Sequence, residues 1–120
     1  MKKNGILIID DEEMLRVLMA DFLEAENYQV FLAESGKRGV ELFKQYQGEL
    51  LAVLLDSNMP EMNGEQTLDE LRKLDASIPI FFATGLIKAD LFERLKAKGI
   101  NGILKKPYNL GEFIEMLAKL

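Results

Sequence analysis

Apolar residues in this chain come in two textures that alternate from end to end. Runs on consecutive positions stand at residues 6–9 (ILII), 28–33 (YQVFLA), 50–55 (LLAVLL), 78–83 (IPIFFA) and 102–104 (GIL). A run without alternation suits a strand covered on both faces, as in a parallel sheet. Between the runs the apolar spacing turns helical. Met14, Leu18 and Phe22 recur every four residues, with Leu15 and Ala25 beside them. Leu68, Leu71 and Leu74 follow the same rule, as do Leu91 with Leu95, and Leu110, Phe113, Ile114 and Leu117.

The punctuation agrees with this division. Gly48 and Gly99 stand where helices should end. Asn63 with Gln66, and Asn109 with Glu112, have the spacing of capping boxes. Five strands alternating with five helices predict an α/β fold, a parallel sheet with helices on both faces. No linker, low-complexity segment or internal repeat interrupts the 120 residues, so one domain over 1–120 is expected.

Composition narrows the chemistry. The chain has no cysteine and no histidine. Disulfides, thiolate chemistry, Ser-His-Asp catalysis and storage of a phosphoryl group on its own imidazole are excluded. Any metal must be a hard cation held by oxygen. With 15 basic and 20 acidic residues the net charge is −5, which disfavours a general nucleic-acid or anionic-membrane surface. No segment has the apolar length of a membrane span. Acids cut off the first apolar run too early for a secretory signal, so a cytoplasmic protein is expected.

In an open parallel sheet, ligands bind beyond the carboxyl ends of the strands, where strand order reverses. Those ends carry Asp10 and Asp11, Asp56, Thr84 and Lys106; the second strand offers Glu34 and Ser35, which are left outside the site. Taken singly, each has a plain structural role. An aspartate can cap the first helix, Asp56 can open a turn, Thr84 can cap the fourth helix, and Lys105 or Lys106 can sit in solvent. Taken together, three carboxylates, a hydroxyl and an ammonium converge on one rim. Carboxylates in one cleft raise one another's pKa, and a divalent cation relieves that repulsion. All-oxygen ligands point to Mg²⁺, with Mn²⁺ a workable substitute, and Mg²⁺ suits a phosphate partner. A carboxylate can serve as nucleophile to a phosphoryl group, forming an acyl phosphate while the ammonium and hydroxyl neutralise its oxygens.

The segments ILIIDDEE, LLDSNMPEMNG, FFATG and GINGILKKPY, in that order and spacing, resemble the receiver domain of two-component response regulators. The resemblance covers essentially the whole chain. It implies a flavodoxin-like (βα)5 fold of strand order 2-1-3-4-5, the order of the family's chemotaxis member. It implies that Asp56 is the phospho-acceptor, that Asp10 and Asp11 bind Mg²⁺ with Asp11 the more direct ligand, and that the Asn58 backbone carbonyl completes the set. Thr84 resembles the hydroxyl that moves toward the phosphoryl group. Lys106 resembles the site ammonium, with Lys105 its solvent-facing neighbour and a cis bond to Pro107.

The implied partners are a histidine kinase or histidine phosphotransfer protein as donor, and a downstream target or output domain that reads the surface of the fourth helix, fifth strand and fifth helix. A monomer, and no direct contact with nucleic acid or membrane, are expected. Three positions depart from the family pattern. Ile103 stands where an aromatic switch is common. Asn101 and Gly102 replace an acidic pair common in members that dimerise. Leu86 is apolar where some relatives position a hydrolytic water, which implies a long-lived phosphorylated form. The rivals are an aspartyl-phosphate phosphohydrolase with Asp10 as nucleophile and Glu12 as acid-base, a flavodoxin-like cofactor binder, and a degenerate receiver that only docks.

Overall fold

The computed structural model describes residues 3–85, 88–107 and 109–120. Five parallel strands, β1 (Gly5–Ile9), β2 (Gln29–Ala33), β3 (Leu50–Asp56), β4 (Ile80–Thr84) and β5 (Gly102–Lys105), form one sheet in the order β2-β1-β3-β4-β5. Between and after them run α1 (Glu13–Ala25), α2 (Gly36–Tyr46), α3 (Gly64–Leu74), α4 (Ala89–Ala97) and α5 (Leu110–Ala118). The expected fold and strand order are thus found. The strand order reverses between β1 and β3, which lie side by side.

Consecutive apolar residues in the strands supply both faces of the sheet. Leu7, Ile9, Val53, Leu55 and Phe82 pack on one face with Leu42 and Phe43 of α2, Leu68 and Leu71 of α3, and Leu95 of α4. Ile6, Ile8, Ala52, Leu54 and Phe81 pack on the other with Met19 and Leu23 of α1 and Phe113 and Leu117 of α5. The period-two alternation of side chains along a strand produces this split. Each fully buried Leu, Ile or Phe contributes about 1.5–3 kcal/mol of transfer free energy, so most of the stability lies in these two layers.

Boundaries moved where backbone chemistry overrides apolarity. β2 begins at Gln29 rather than Tyr28, and β4 begins at Ile80, after Pro79, which has no N–H for the ladder. β3 and β5 each run one residue further, onto Asp56 and Lys105. Gly48 ends no α-helix: α2 stops at Tyr46 and a 3₁₀ turn over Gln47–Glu49 leads into β3. Gly99 does follow α4, at φ +77°, the left-handed conformation that glycine adopts without steric cost. Asn63 and Gln66 form the full capping box of α3, while Asn109 caps α5 by accepting from the Glu112 N–H.

The apolar stripe on α1 is the largest difference. Met14, Leu18 and Phe22 are 84%, 52% and 39% exposed, and Val17 is 52% exposed. The face packed on the sheet is Met19, Ala20 and Leu23. The helix is apolar on two sides, and spacing alone does not say which one meets the core.

Candidate functional site

Strand register assembles the rim. Ile9 pairs with Leu55, so Asp10 follows alongside Asp56. Asp56 pairs with Ala83, so Thr84 lies one residue beyond it on β4. Thr84 pairs with Lys105, so Lys106 stands one residue past the end of β5. A sheet whose central strands end on polar residues thus brings Asp10, Asp56, Thr84 and Lys106 to one edge.

Alternation then sorts their directions. Asp10 and Asp56 continue the series Ile6, Ile8 and Ala52, Leu54, and Lys106 continues from Leu104, all on the α1/α5 face. Thr84 continues from Phe82, on the α2/α3/α4 face. It lines a cleft of about 550 Å³ together with Ser57, Asn58, Glu65, Lys88 and Arg94. The cleft separates the loop after β3 from the start of α4.

Asp10 and Asp56 are each 1% exposed, whereas Asp11 is open to solvent. Carboxylate oxygens of the three lie within 4.8 Å of one another. Lys106 Nζ donates to Asp56 Oδ1 at 2.5 Å, and the Asn58 N–H donates to the same oxygen at 3.4 Å. Asp56 Oδ2 is buried and has no hydrogen-bond partner among the described residues. A buried carboxylate oxygen left in this way costs about 1–3 kcal/mol, and in a native structure it asks for a ligand. A hard divalent cation fits: two buried acids and one exposed acid supply oxygens and leave room for retained waters on the solvent side.

The electrostatics follow from burial and partners. Burial raises the Asp56 carboxyl above its ordinary value, the Lys106 hydrogen bond pulls it back, and the neighbouring Asp10 charge raises it further. Desolvation is the larger cause, so the acid-acid repulsion expected from the sequence is present but secondary. Burial lowers the Lys106 ammonium, but its hydrogen bond to Asp56 and the charges of Asp56, Asp10 and Glu12 outweigh that, and its pKa is raised. The ammonium therefore stays charged throughout the neutral range.

Local backbone explains how Asp56 is held. Gly64, the first residue of α3, donates its N–H to the Ser57 carbonyl, and a Cβ there would come within 2.3 Å of the Asp56 carbonyl oxygen. Only glycine lets α3 start this close to the acid. Ser57 N–H reaches back to the Ala83 carbonyl, extending β3–β4 pairing past the acid. The Lys106–Pro107 bond is cis, as the resemblance implied.

Of the remaining sequence expectations, Ile103 is half-buried opposite Phe82, and Lys105 is exposed. Leu86 lies outside the described residues. Glu12, the acid-base of the phosphohydrolase rival, is an exposed N-cap residue of α1. Two residues that tie the frame together show no sign of that role in the sequence. Asn101 accepts from the Ile80 N–H through its side chain and donates its own N–H to the Ile80 carbonyl. Arg16 on α1 donates to the Asp10 carbonyl at 2.8 Å. Neither contact leaves an apolar period or a motif, since each side chain bonds to a backbone group, which every residue has.

A family model described as the response regulator receiver domain matches residues 6–118. Sporulation initiation phosphotransferase F of Bacillus subtilis is 28% identical over 99% of this chain and 94% of its own length. The chemotaxis protein CheY of Halobacterium salinarum is 30% identical over 94% of this chain and 92% of its own. The chain also matches 12% of the length of the much longer sensor kinase CckA of Brucella abortus, at 33% identity. The non-phosphorylated HemR receiver domain of Leptospira biflexa superposes with a TM-score of 0.88 at 26% identity, covering 98% of this chain and 93% of that one.

Proposed function

The chain belongs to the response regulator receiver domain family, and we propose that residues 1–120 act as a phospho-acceptor with Asp56 as the accepting side chain. The observation that carries this reading is the state of Asp56: buried, fixed through Oδ1 by Lys106, with Oδ2 beside Asp10 and Asp11 and without a hydrogen-bond partner among the described residues. Asp10, Asp11, Asp56 and the Asn58 backbone carbonyl would hold Mg²⁺, or Mn²⁺ in its place. The ion, when bound, supplies positive charge for the oxygens of the incoming phosphoryl group.

In the proposed reaction Asp56 Oδ2 attacks the phosphorus of a phosphohistidine. The N–P bond breaks, an acyl phosphate forms on Asp56, and the imidazole leaves. Having no histidine of its own, the chain depends on a histidine kinase or histidine phosphotransfer protein for the donor. Such a partner approaches beside the exposed apolar face of α1, whose helix starts two residues after Asp11. Lys106 neutralises a phosphoryl oxygen by leaving its Asp56 contact. Thr84 crosses from the cleft toward the same group, drawing the β4–α4 loop with it. Modification thereby shifts a two-state equilibrium that a target reads on α4, β5 and α5. Ile103 changes its packing there without swinging a ring. The protein is a regulatory module rather than an enzyme that turns over substrate, acts as a monomer, and contacts neither membrane nor nucleic acid. No helix among the described residues is long and apolar enough to cross a membrane.

The test is intact mass after incubation with acetyl phosphate and Mg²⁺. One labile phosphoryl adduct is expected on the wild type and none on Asp56→Asn or in the presence of chelator. An adduct that persists in Asp56→Asn and is lost in Asp10→Asn would transfer the nucleophile to Asp10 and favour the phosphohydrolase reading.

A further inference from the structure

The acid seat is pinned by backbone contacts that involve one side chain from outside it. The Asp10 N–H donates to the Ala33 carbonyl at 3.0 Å, which extends the β1–β2 pairing to the last residue before the loop. The Glu12 N–H donates to Asp10 Oδ1 at 2.9 Å. The Asp10 carbonyl accepts from Arg16 Nη1 at 2.8 Å. Arg16 also donates its own N–H to the Glu12 carbonyl, as part of the first turn of α1. That turn has no side-chain cap at Glu12. Arg16 therefore closes a strap: its backbone holds Glu12 and its guanidinium holds Asp10. Asp11, the exposed acid, is the one residue between the two fixed points.

We propose that Arg16 is a positioning residue for the metal seat, holding the Asp10–Glu12 loop so that the Asp11 carboxylate meets those of Asp10 and Asp56. This rests on the reading of the three acids as a divalent-cation site. Groups one step removed from a metal fix the orientation of its ligands, and removing one weakens binding by about tenfold or more. The sign of the effect discriminates. A cation close to a cation site opposes the ion through its charge. If Arg16 acted only through its field, removing the charge would tighten Mg²⁺ binding. If it acts by holding the loop, removal weakens binding although a repulsive charge is gone.

The experiment titrates Mg²⁺ alone into wild type, Arg16→Met and Arg16→Lys, following amide shifts by NMR. Arg16→Met keeps the aliphatic stem and loses every donor. Its Kd for Mg²⁺ is expected to rise about tenfold, and Arg16→Lys, with one mobile donor, to fall between it and wild type. Should Arg16→Met fail to fold, Arg16→Gln, too short to reach the carbonyl, goes through the same titration. An unchanged Kd beside a lowered melting temperature in chelator would reduce Arg16 to a structural role. A tighter Kd would assign it a field effect. Either result overturns the strap. Wild type that bound no Mg²⁺ and took no phosphoryl group would instead overturn the site reading on which it rests.

Discussion

Several side chains in this protein hold the frame through backbone groups rather than through one another. Arg72 is the strongest case, with four such bonds to the one that Arg16 makes. Its Nε donates to Lys98 O, its Nη1 to Asp75 O and Ile78 O, and its Nη2 to Gly99 O, so one guanidinium ties the end of α3 to the loop after α4. Asp75 completes the turn beside it. Its Oδ1 accepts from the Ser77 N–H at 2.8 Å, the Ser77 hydroxyl at 3.0 Å and the Ile78 N–H at 3.1 Å. The Ser77 N–H bond is the main reason its pKa lies below the ordinary 3.8. A depressed carboxylate stabilises the fold above its unfolded pKa, and that contribution is lost as pH falls through the folded value. Asp75→Ala is therefore expected to cost about 1 kcal/mol at pH 7, with the gap to wild type narrowing below pH 3.8. Urea denaturation at neutral and acid pH reads both numbers; a gap constant over that range would show that the charge plays no part. Residues of this kind were illegible in the sequence. Asp10, Asp11, Asp56, Thr84 and Lys106 could be picked out because each terminates an apolar run, whereas Arg72 and Asn101 bond to peptide groups that every residue has.

At the scale of elements, the sequence specified which segments are strands and helices better than which face each presents. Consecutive apolar residues marked all five strands to within two residues at each end; burial on both sides holds for β1, β3 and β4, while the edge strands β2 and β5 are mostly half-buried. On α1 the four-residue repeat picked out the solvent face, because the helix is apolar on both sides and small Ala20 faces the sheet. Helix α4 carries few apolar anchors, with Leu95 its one fully buried residue. Charge compensates. Glu65 at the start of α3 accepts from Arg94 at 3.0 Å and Lys98 at 2.9 Å, and Lys98 also pairs with Asp69 at 2.9 Å. The Arg94 and Lys98 hydrogen bonds hold the Glu65 carboxyl below its ordinary range. Half-exposed pairs are worth well under 1 kcal/mol each once solvent screens them. Glu65→Gln should lower stability by about 0.5–1 kcal/mol at low salt, and the difference should fade near 1 M NaCl, where the Debye length is about 3 Å. Parallel denaturation curves across that salt series decide it: an undiminished penalty would mean that packing, not charge, was lost. Because the network spans the cleft that holds Thr84, the same variant is expected to accept phosphoryl groups at an altered rate.

For the molecule as a whole, the acid rim links folding to proton binding and, on the proposed reading of the three acids, to metal binding. Asp56 has a raised folded-state pKa, caused first by burial. A group raised in this way favours the fold below its unfolded pKa, and that support is lost as pH rises through the folded value. At neutral pH without metal, then, the rim opposes the hydrophobic layers beneath it. Asp10 adds to the opposition through its charge on Asp56. Asp10→Asn removes that charge and keeps the oxygen that accepts from the Glu12 N–H, so the loop stays pinned. The metal-free variant should be more stable than wild type by on the order of 1 kcal/mol, a rise of a few degrees in melting temperature for a domain of this size. Mg²⁺ is expected to reverse the ranking. At ten times its Kd the ion stabilises wild type by about 1.4 kcal/mol by mass action, and a seat that has lost one acid responds far less. Calorimetric melting of both proteins, in chelator and across a Mg²⁺ series at pH 7, tests the linkage. A variant that melts at or below wild type in chelator would show that the acids do not strain the metal-free fold. Equal Mg²⁺ responses would show that Asp10 is no part of the seat. The expected crossing of the two curves would mean that the site is kept at a cost to the metal-free fold, and that the bound cation offsets that cost.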